Sequence, residues 1–576
     1  MKNNYIVNAA LTTLLIFGSC TKLDEKVYDK VDVNQFLTRR DDVIRDFLRP
    51  FEHAYWSIQG NDVYAANENS SDEIGTYNRQ GDWQDGNYYA RMHYHTWTTQ
   101  DGFTSGAWTA FYQGIVLATN SLQDMESIAD PTKLNVSTTE LADFKAELKT
   151  LRAWFYLRAF DFYRNIEIIT DVKHTTTGNK QSTPQETFAY IESELKAAIP
   201  DLPKRADLGD KGIGRWTQAG AAALLVRLYL NAQAYIGQDH YTDCATVAQD
   251  IINGKYGAYA LDTRWDAPFD YTNSTVNSET IYGFPCSLAR THWQYDGGMF
   301  FWSMTYDAAP LYCKFTDFGG ANPRFALQPG RDVDSVEYSH ALGKPFVKFQ
   351  HYADDLRLKL YKNLGNSTRE GMFLYGYLPY QHEVNGATVT DTVRGNKGSY
   401  PLFIRDQVGW FLDAKPGTRI SDKESNMGHA DHNSGIFMLK YPLYPTPDPN
   451  RITSAYAEVR LSEIYYSLAE CKYRAGDKAA AASLLNAVRQ RNYPAGSPSL
   501  YKTDGSQLSD QEMLDEWGRE FLGENRRRTD LVRWGVFNTG TWWDKQPDAD
   551  NHTAIFPIGK DILGANPQLV QNPGYE

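Results

Sequence analysis

The sequence predicts a mostly α fold, a tetratricopeptide-like stack of four helix pairs under a large irregular, loop-rich layer carrying short strands. Three observations lead there. Apolar residues recur at the helical period in stretches that fall into neighbouring pairs. Several of these stretches begin or end on recognisable capping residues. From 257 to 450 the period disappears, and Pro, Gly and Asn recur instead. An amphipathic helix pair cannot bury its apolar faces alone, so the pairs have to stack, although a strict 34-residue repeat is absent.

In chain order, the first helix is expected over 36–56, with Phe36, Val43, Phe47 and Phe51 among its apolar positions. Residues 60–106 lose the period and are dense in Gly, Asn, Asp and rings, which reads as a long functional loop. The pattern resumes at Trp108, Tyr112, Ile115 and Leu122, and again over 144–163 with Leu148, Leu151, Phe155 and Phe162 on one side. Thr183-Pro184-Gln185-Glu186 supplies an N-cap, a proline at the first helical position and a capping glutamate. Phe188, Ile191, Leu195 and Ile199 continue that helix until Pro200. The stretch 216–234 is apolar nearly all round between Ala219 and Val226 and is expected to be deeply buried, with 241–252 as its partner up to Gly254.

The middle region offers short strand-like runs such as Val347-Lys348-Phe349 and one partial helix candidate at 287–304. Lacking a strong hydrophobic period of its own, it reads as a layer over the stack rather than a separate domain. Ala457, Leu461, Ile464 and Leu468 then mark a helix over 456–474, which Gly476 ends. Asp477 caps the next, whose Leu484, Leu485 and Val488 face inward. Ser509, with Glu512 three residues on, opens a third through Met513, Trp517 and Phe521. The expected pairs are 36–56 with 106–126, 144–163 with 186–199, 216–234 with 241–252, and 456–474 with 477–491.

Composition bounds the function. The formal net charge of -13 argues against a nucleic-acid partner, whose binding draws on clustered Lys and Arg. The 14 Trp and 38 Tyr are more amphipathic rings than a helical core requires. At the start, Lys2 precedes a mostly apolar run and Gly18-Ser19 lead into Cys20, the pattern of a bacterial lipoprotein signal. Residues 1–19 are therefore expected to be removed, Cys20 acylated, and 20–35 to serve as a tether. Residues 36–576 form one domain: helical scaffold at 36–256 and 451–535, an insertion at 257–450 and a tail at 536–576. No other segment is apolar for long enough to cross a membrane, so the chain is anchored rather than spanning.

Catalytic and cofactor signatures are missing from the sequence. There is no nucleophile elbow, P-loop or dinucleotide fingerprint. His93-Tyr94-His95 lacks a third ligand at a metal-site spacing, and the polar loop from Asn426 to Asn433 reads as a solvent-facing turn. Cys244, Cys286, Cys313 and Cys471 match no metal spacing; export permits a Cys286–Cys313 bridge. We expect no metal, no cofactor and no bond cleavage.

A family resemblance rests on ordered motifs: Cys20; Leu151-Arg152-Ala153-Trp154-Phe155-Tyr156; Arg215-Trp216; Arg460-Leu461-Ser462-Glu463-Ile464; Leu485 through Arg491; and Arg519-Glu520-Phe521 with Gly523 through Gly535. Phe556-Pro557-Ile558 and Gln571-Asn572-Pro573-Gly574-Tyr575 complete the set. The chain resembles the SusD/RagB family of outer-membrane lipoproteins. The resemblance implies capture of a nutrient at the cell surface and its delivery to a TonB-dependent transporter. Tyr163-Arg164-Asn165-Ile166 departs from the family pattern at one turn. Arg519, Glu524, Arg528 and Asp530 are read as helix-locking pairs rather than as a site.

Family ligand contacts come mainly from the loop before the Trp108 helix and from the middle insertion. Sugar rings present apolar faces and hydroxyl edges, which suits flat aromatic platforms beside amides, carboxylates and guanidinium groups. Trp83, Trp97, Trp293 and Tyr295 are the expected platforms, with Asn78, Arg79, Asp85 and Asp296 as polar partners. Phe373 to Tyr380 is a weaker aromatic candidate. An oligosaccharide is the favoured ligand; a peptide on the same scaffold is the alternative, and a glycosidase using Asp82 and Asp85 a more remote one.

Overall fold

The computed structural model describes residues 37–59, 61–79, 82–173, 178–209, 212, 214–270, 277–285, 308–313, 324–328, 344–365, 368–395, 400–404, 427–428, 435–441 and 454–575. Cys20, Cys286, the 287–304 candidate and most of the 426–433 loop lie outside them, so the expected lipidation does too; Cys313 is described and is a buried free thiol, so the expected Cys286–Cys313 bridge is not formed.

A run of helices forms the stack. They are α1 (Arg40–Gln59), α2 (Asn61–Glu68), α3 (Tyr88–His93), α4 (Gly102–Glu126), α5 (Thr138–Tyr163), α6 (Pro184–Ala198), α7 (Gln218–Leu230) and α8 (Tyr241–Ile252). After the middle region come α9 (Leu461–Arg474), α10 (Lys478–Arg489), α11 (Asp510–Phe521) and α12 (Arg527–Arg533). Contacts follow the chain: α1 lies on α4, α4 on α5, α5 on α6, α6 on α7, α7 on α8, α8 on α9 and α9 on α10. Hence α8 carries the N-terminal half of the stack onto the C-terminal half, across more than 200 intervening positions.

Caps explain where the helices start. Thr183 accepts from the Glu186 amide while Glu186 reaches back to the Thr183 amide, a complete capping box. Ser509 accepts from Glu512, and Asp477 from Ala480. Gly476 at φ 85° turns the chain out of α9 in a conformation that a Cβ would strain. The buried face is continuous: Trp154 and Trp216 are both fully enclosed, and Trp216 stacks on Tyr282 at 3.7 Å. Among the described residues no helix is long and apolar enough to cross a membrane.

Four elements differ from the sequence reading. Tyr456–Arg460 is a strand rather than the first turns of a helix; it pairs antiparallel with Thr280–Phe284, and α9 begins only at Leu461. All five of its residues are buried, so no alternation marked it as extended. Lys344–Gln350 is a helix, not a strand-like run: Phe346 and Phe349 are buried while Val347 is 43% exposed, a spacing of three. The stretch 60–106 contains α2 and α3; from Val63 to Glu68 every α2 residue is buried, which hides the period. Finally, 216–234 breaks at Asn231, whose side chain donates to the Arg227 carbonyl and accepts from Arg533.

The insertion is built of short two-stranded ladders, none extending into a larger sheet among the described residues. It is fastened to the stack by charge. Glu520 accepts from Arg460 at 2.7 Å and Arg491 at 2.8 Å, and Arg357, from the insertion, lies 3.4 Å away. Glu524 accepts from Arg460 at 2.8 Å and also from Lys440. Arg519 meets Glu516 at 2.7 Å, Arg528 meets Asp161 at 3.1 Å, and Asp530 pairs with Arg526 and Arg533. These arginine-rich blocks hold elements together, with each guanidinium drawing partners from two or more segments.

Candidate ligand-binding site

The loop between α2 and α4 begins as a buried strap. Ile74–Gly75 pairs with Ala326–Leu327, and the Tyr77 hydroxyl donates to the Leu327 carbonyl. The Asn78 amide donates to Met427 O at 2.9 Å. Arg79 and Asp82 then exchange backbone hydrogen bonds of 2.9 and 3.1 Å, closing a tight turn that throws the next residues outward.

Beyond this turn the backbone is unusual. Trp83, Asp85, Gly86 and Asn87 all have φ between 39° and 65°. Asp and Asn tolerate this region, but for Trp83 it costs about 1–3 kcal/mol unless the surroundings enforce it. They do. The Asn87 amide donates to Gln84 O at 2.6 Å, and Arg91 donates to Gly86 O at 2.7 Å while pairing with Asp101. The result presents Asp85, Gly86 and Asn87 to solvent and leaves Trp83 half-buried.

Arg324 backs the indole. Its guanidinium lies 4.4 Å from the Trp83 ring centroid and 5.6 Å from Tyr89, a cation–π arrangement. Burial pulls Arg324 below its ordinary pKa while the Tyr89 hydroxyl and Asp85 pull it back up. The Trp83 indole N–H is sheltered and has no acceptor among the described residues. Tyr88 is fixed by donation to Asp62 at 2.7 Å. The site thus combines an aromatic ring with one face covered, an exposed carboxylate, an exposed amide and a guanidinium behind them. Chemically, such a surface can meet an apolar ring face through the indole and hydroxyl groups through the carboxylate and amide.

The structure separates the residues that sequence put together. Trp83 and Asp85 stand on this surface, with Asn78 half-buried at its root. Trp97 does not belong to it: only 4% exposed, it donates to the Tyr575 hydroxyl at 2.8 Å and packs against Phe103 and Phe556. Arg79 is 1% exposed, its guanidinium 5.0 Å from Tyr77 and 5.3 Å from Phe437. A ring or a fork enclosed on all sides offers nothing to a ligand, so both are structural. Trp293, Tyr295 and Asp296 lie outside the described residues. Arg324 and Tyr89 were missed; Arg324 sits far away in the chain, and no periodicity or motif tied it to Trp83.

Nearby histidines are anchors. His93 meets Asp544 at 2.6 Å, and His95 lies between Asp548 at 2.7 Å and the Ser70 carbonyl at 2.8 Å. They tie the base of the loop to the tail. Among the described residues no cluster of His, Cys, Asp or Glu could hold a metal ion.

Known proteins share both the fold and the sequence pattern. A model of the SusD family matches residues 414–575, and one described as starch-binding, associating with the outer membrane, matches residues 23–230. The starch-binding protein SusD of Bacteroides thetaiotaomicron is 25% identical over 473 residues, 75% of this chain and 73% of that protein. Among solved structures, a SusD-like protein from Bacteroides fragilis superposes with a TM-score of 0.65 at 17% identity, covering 95% of this chain and 99% of its own. A laminarin-binding SusD-like protein gives 0.62 at 20% identity, covering 93% and 100%. Surface glycan-binding protein A from Bacteroides fluxus gives 0.64 at 16%, also covering 93% and 100%.

Proposed function

The chain belongs to the SusD family, and we propose on that premise that it captures oligosaccharides at the outer cell surface and passes them to a partner TonB-dependent transporter. Members of this family are binding proteins, not enzymes. In this reading the protein raises the local concentration of ligand above the channel and makes or breaks no bond. Cys20 carries the lipid anchor, and the stack is the rigid body on which the ligand loop and the transporter contacts are mounted.

The observation that carries the reading is the strained turn at 83–87, where Trp83 is held over Arg324 beside exposed Asp85 and Asn87. Strain maintained by a surrounding framework gathers where recognition happens. The relatives described above add support, being starch-, laminarin- and glycan-binding proteins. Trp293, Tyr295 and Asp296 are proposed to contribute from the insertion.

Titration calorimetry with an array of plant, host and fungal oligosaccharides tests the reading. We expect at least one glycan to bind the wild-type protein and Trp83→Ala to weaken that binding. Binding of peptides but no glycan would replace it with the peptide reading, and release of new reducing ends would overturn the non-catalytic part.

A further inference from the structure

Arg164 stands at the turn where the sequence departs from the family pattern, and its backbone is unusual too. At φ 58° and ψ −56° it is the centre of a γ-turn closed by the Asn165 amide, which donates to Tyr163 O at 2.5 Å. That form is rare and strained for a residue with a Cβ. The side chain nevertheless turns inward and is only 7% exposed. Its guanidinium lies between two rings, 4.3 Å from the Tyr235 centroid and 5.2 Å from Phe160, and Nη1 donates to Phe160 O at 2.9 Å.

No carboxylate answers this charge among the described residues. Arg460, Arg519, Arg527, Arg528 and Arg533 each meet one, and Arg164 does not. Asp161, three residues earlier, is taken up by Arg528 at 3.1 Å, Thr529 at 2.9 Å and the Tyr235 hydroxyl at 3.0 Å. Burial pulls Arg164 down to about 10, against the Tyr235 hydroxyl and Asp161. Nε and Nη2, the two donors on one edge of the fork, have no hydrogen-bond partner among the described residues and are not sealed from solvent. An unpaired buried cation is costly, and so is the turn that holds it; such costs gather at binding sites.

Arg164 lines a cavity of about 550 Å³ between α12, the short helix Ala232–Ile236 and the tail. Buried Tyr235 lies beside it, Val532 and Ile555 give an apolar wall, and exposed Asn551 and Pro573 stand at the rim. The acid at the rim, Asp550, is occupied by His552, which donates from its backbone amide at 2.9 Å and from its ring. From this we infer that the cavity binds a carboxylate-bearing ligand of monosaccharide size, with the carboxylate on the Nε–Nη2 edge of Arg164. Two parallel donors match a planar carboxylate, and a site withdrawn from water strengthens the pair. Val532 and Ile555 meet the apolar side of the ligand, and the Asn551 amide can meet a hydroxyl group. The volume is in the range of small-molecule sites, and no lining residue is shared with the Trp83 surface. A uronate residue of a glycan and a free organic acid present the same carboxylate, and the test separates them.

Calorimetry on the full-length protein compares D-galacturonate with its neutral counterpart D-galactose, with cyclohexanecarboxylate and with inorganic phosphate. Galacturonate is expected to bind, and galactose to bind roughly 10- to 100-fold more weakly. Arg164→Gly removes the fork and suits the positive φ, so it should keep the wild-type thermal midpoint or exceed it while losing galacturonate by the same factor. In crystals of the unmutated protein soaked with galacturonate, the carboxylate should lie within hydrogen-bond distance of Nε and Nη2, a readout that needs no variant. Binding of both organic acids supports the site, and tighter binding of galacturonate assigns it to acidic sugars. The inference is wrong if neither acid binds, if galactose binds as well as galacturonate, or if phosphate binds more tightly than either acid. It is equally wrong if Arg164→Gly binds galacturonate unchanged. None of these failures touches the reading of the Trp83 surface.

Discussion

Two tryptophans fourteen positions apart show what a single side chain's surroundings decide. Trp83 sits on a left-handed turn with Arg324 against one face, whereas Trp97 is enclosed and hydrogen-bonded to Tyr575. Their alanine variants should therefore fail in opposite ways. Trp83→Ala is expected to lose about 1–3 kcal/mol of glycan affinity, with a small change in thermal midpoint. Trp97→Ala should cost about 3–5 kcal/mol of stability through the cavity it leaves, with binding of the remaining folded protein unchanged. Calorimetry on both variants separates the cases, and equal loss of affinity in both would contradict the assignment. Sequence could not tell these rings apart. Both lie in a stretch dense in Gly, Asn and aromatic residues, and burial there is set by the tail at 537–575, hundreds of positions away. Asp85 was legible because an acid beside glycine in a turn has few ways to be buried; Arg324 was not, because nothing local marks its partner.

At the scale of elements, the helices were legible where a cap and a one-sided apolar face agree, as at Thr183 and Ser509. The misreading at Tyr456–Arg460 came from burial on both faces, which erases the difference between a strand and a helix turn. That strand matters because Arg460 at its end meets Glu520 and Glu524 of the α11 region. Glu520 is the common partner of Arg460, Arg491 and Arg357, and removing it takes one carboxylate away from three buried cations, leaving them Glu524, Glu279 and Asp355. Glu520→Ala is expected to destabilise the fold by about 3–5 kcal/mol. Replacing Glu520 by Gln, which keeps one acceptor oxygen for Arg460 and Arg491 and fills the same space, should cost less. Denaturant midpoints of the two variants check the order, and an alanine variant as stable as the wild type would show that the network is dispensable.

Across the whole molecule, buried carboxyl groups of opposite habit set a pH dependence. One set lies below its ordinary range: burial alone would raise Glu463, but Arg227 and Arg526 outweigh it and bring it down to about 2, and Arg527 and Lys348 do the same more strongly for Asp72. A depressed carboxyl stabilises the fold above its unfolded pKa, and that stability is lost as pH falls toward the folded value. The other set lies high. Burial pushes Glu73 up to about 7 against the pull of Arg527 and Lys348, raises Glu68 well above its usual value with Glu73 adding to the effect, and lifts Asp46 to about 6 beside Asp124. Three of the four carboxyl oxygens of Glu68 and Glu73 have no hydrogen-bond donor among the described residues, which makes ionising them costly. A raised carboxyl takes nothing from stability below its unfolded pKa and progressively more as pH climbs through the folded value. The two habits together place the greatest stability between about pH 4.5 and 5.5 and a decline from there to pH 8. Glu73→Gln should flatten the alkaline side while leaving the acid side in place, because it removes one raised group and none of the depressed ones. Thermal midpoints from pH 3 to pH 9 for both proteins give the answer: a wild-type midpoint that keeps rising from pH 5 to pH 8 would mean that the buried acids are paired more completely than their surroundings allow.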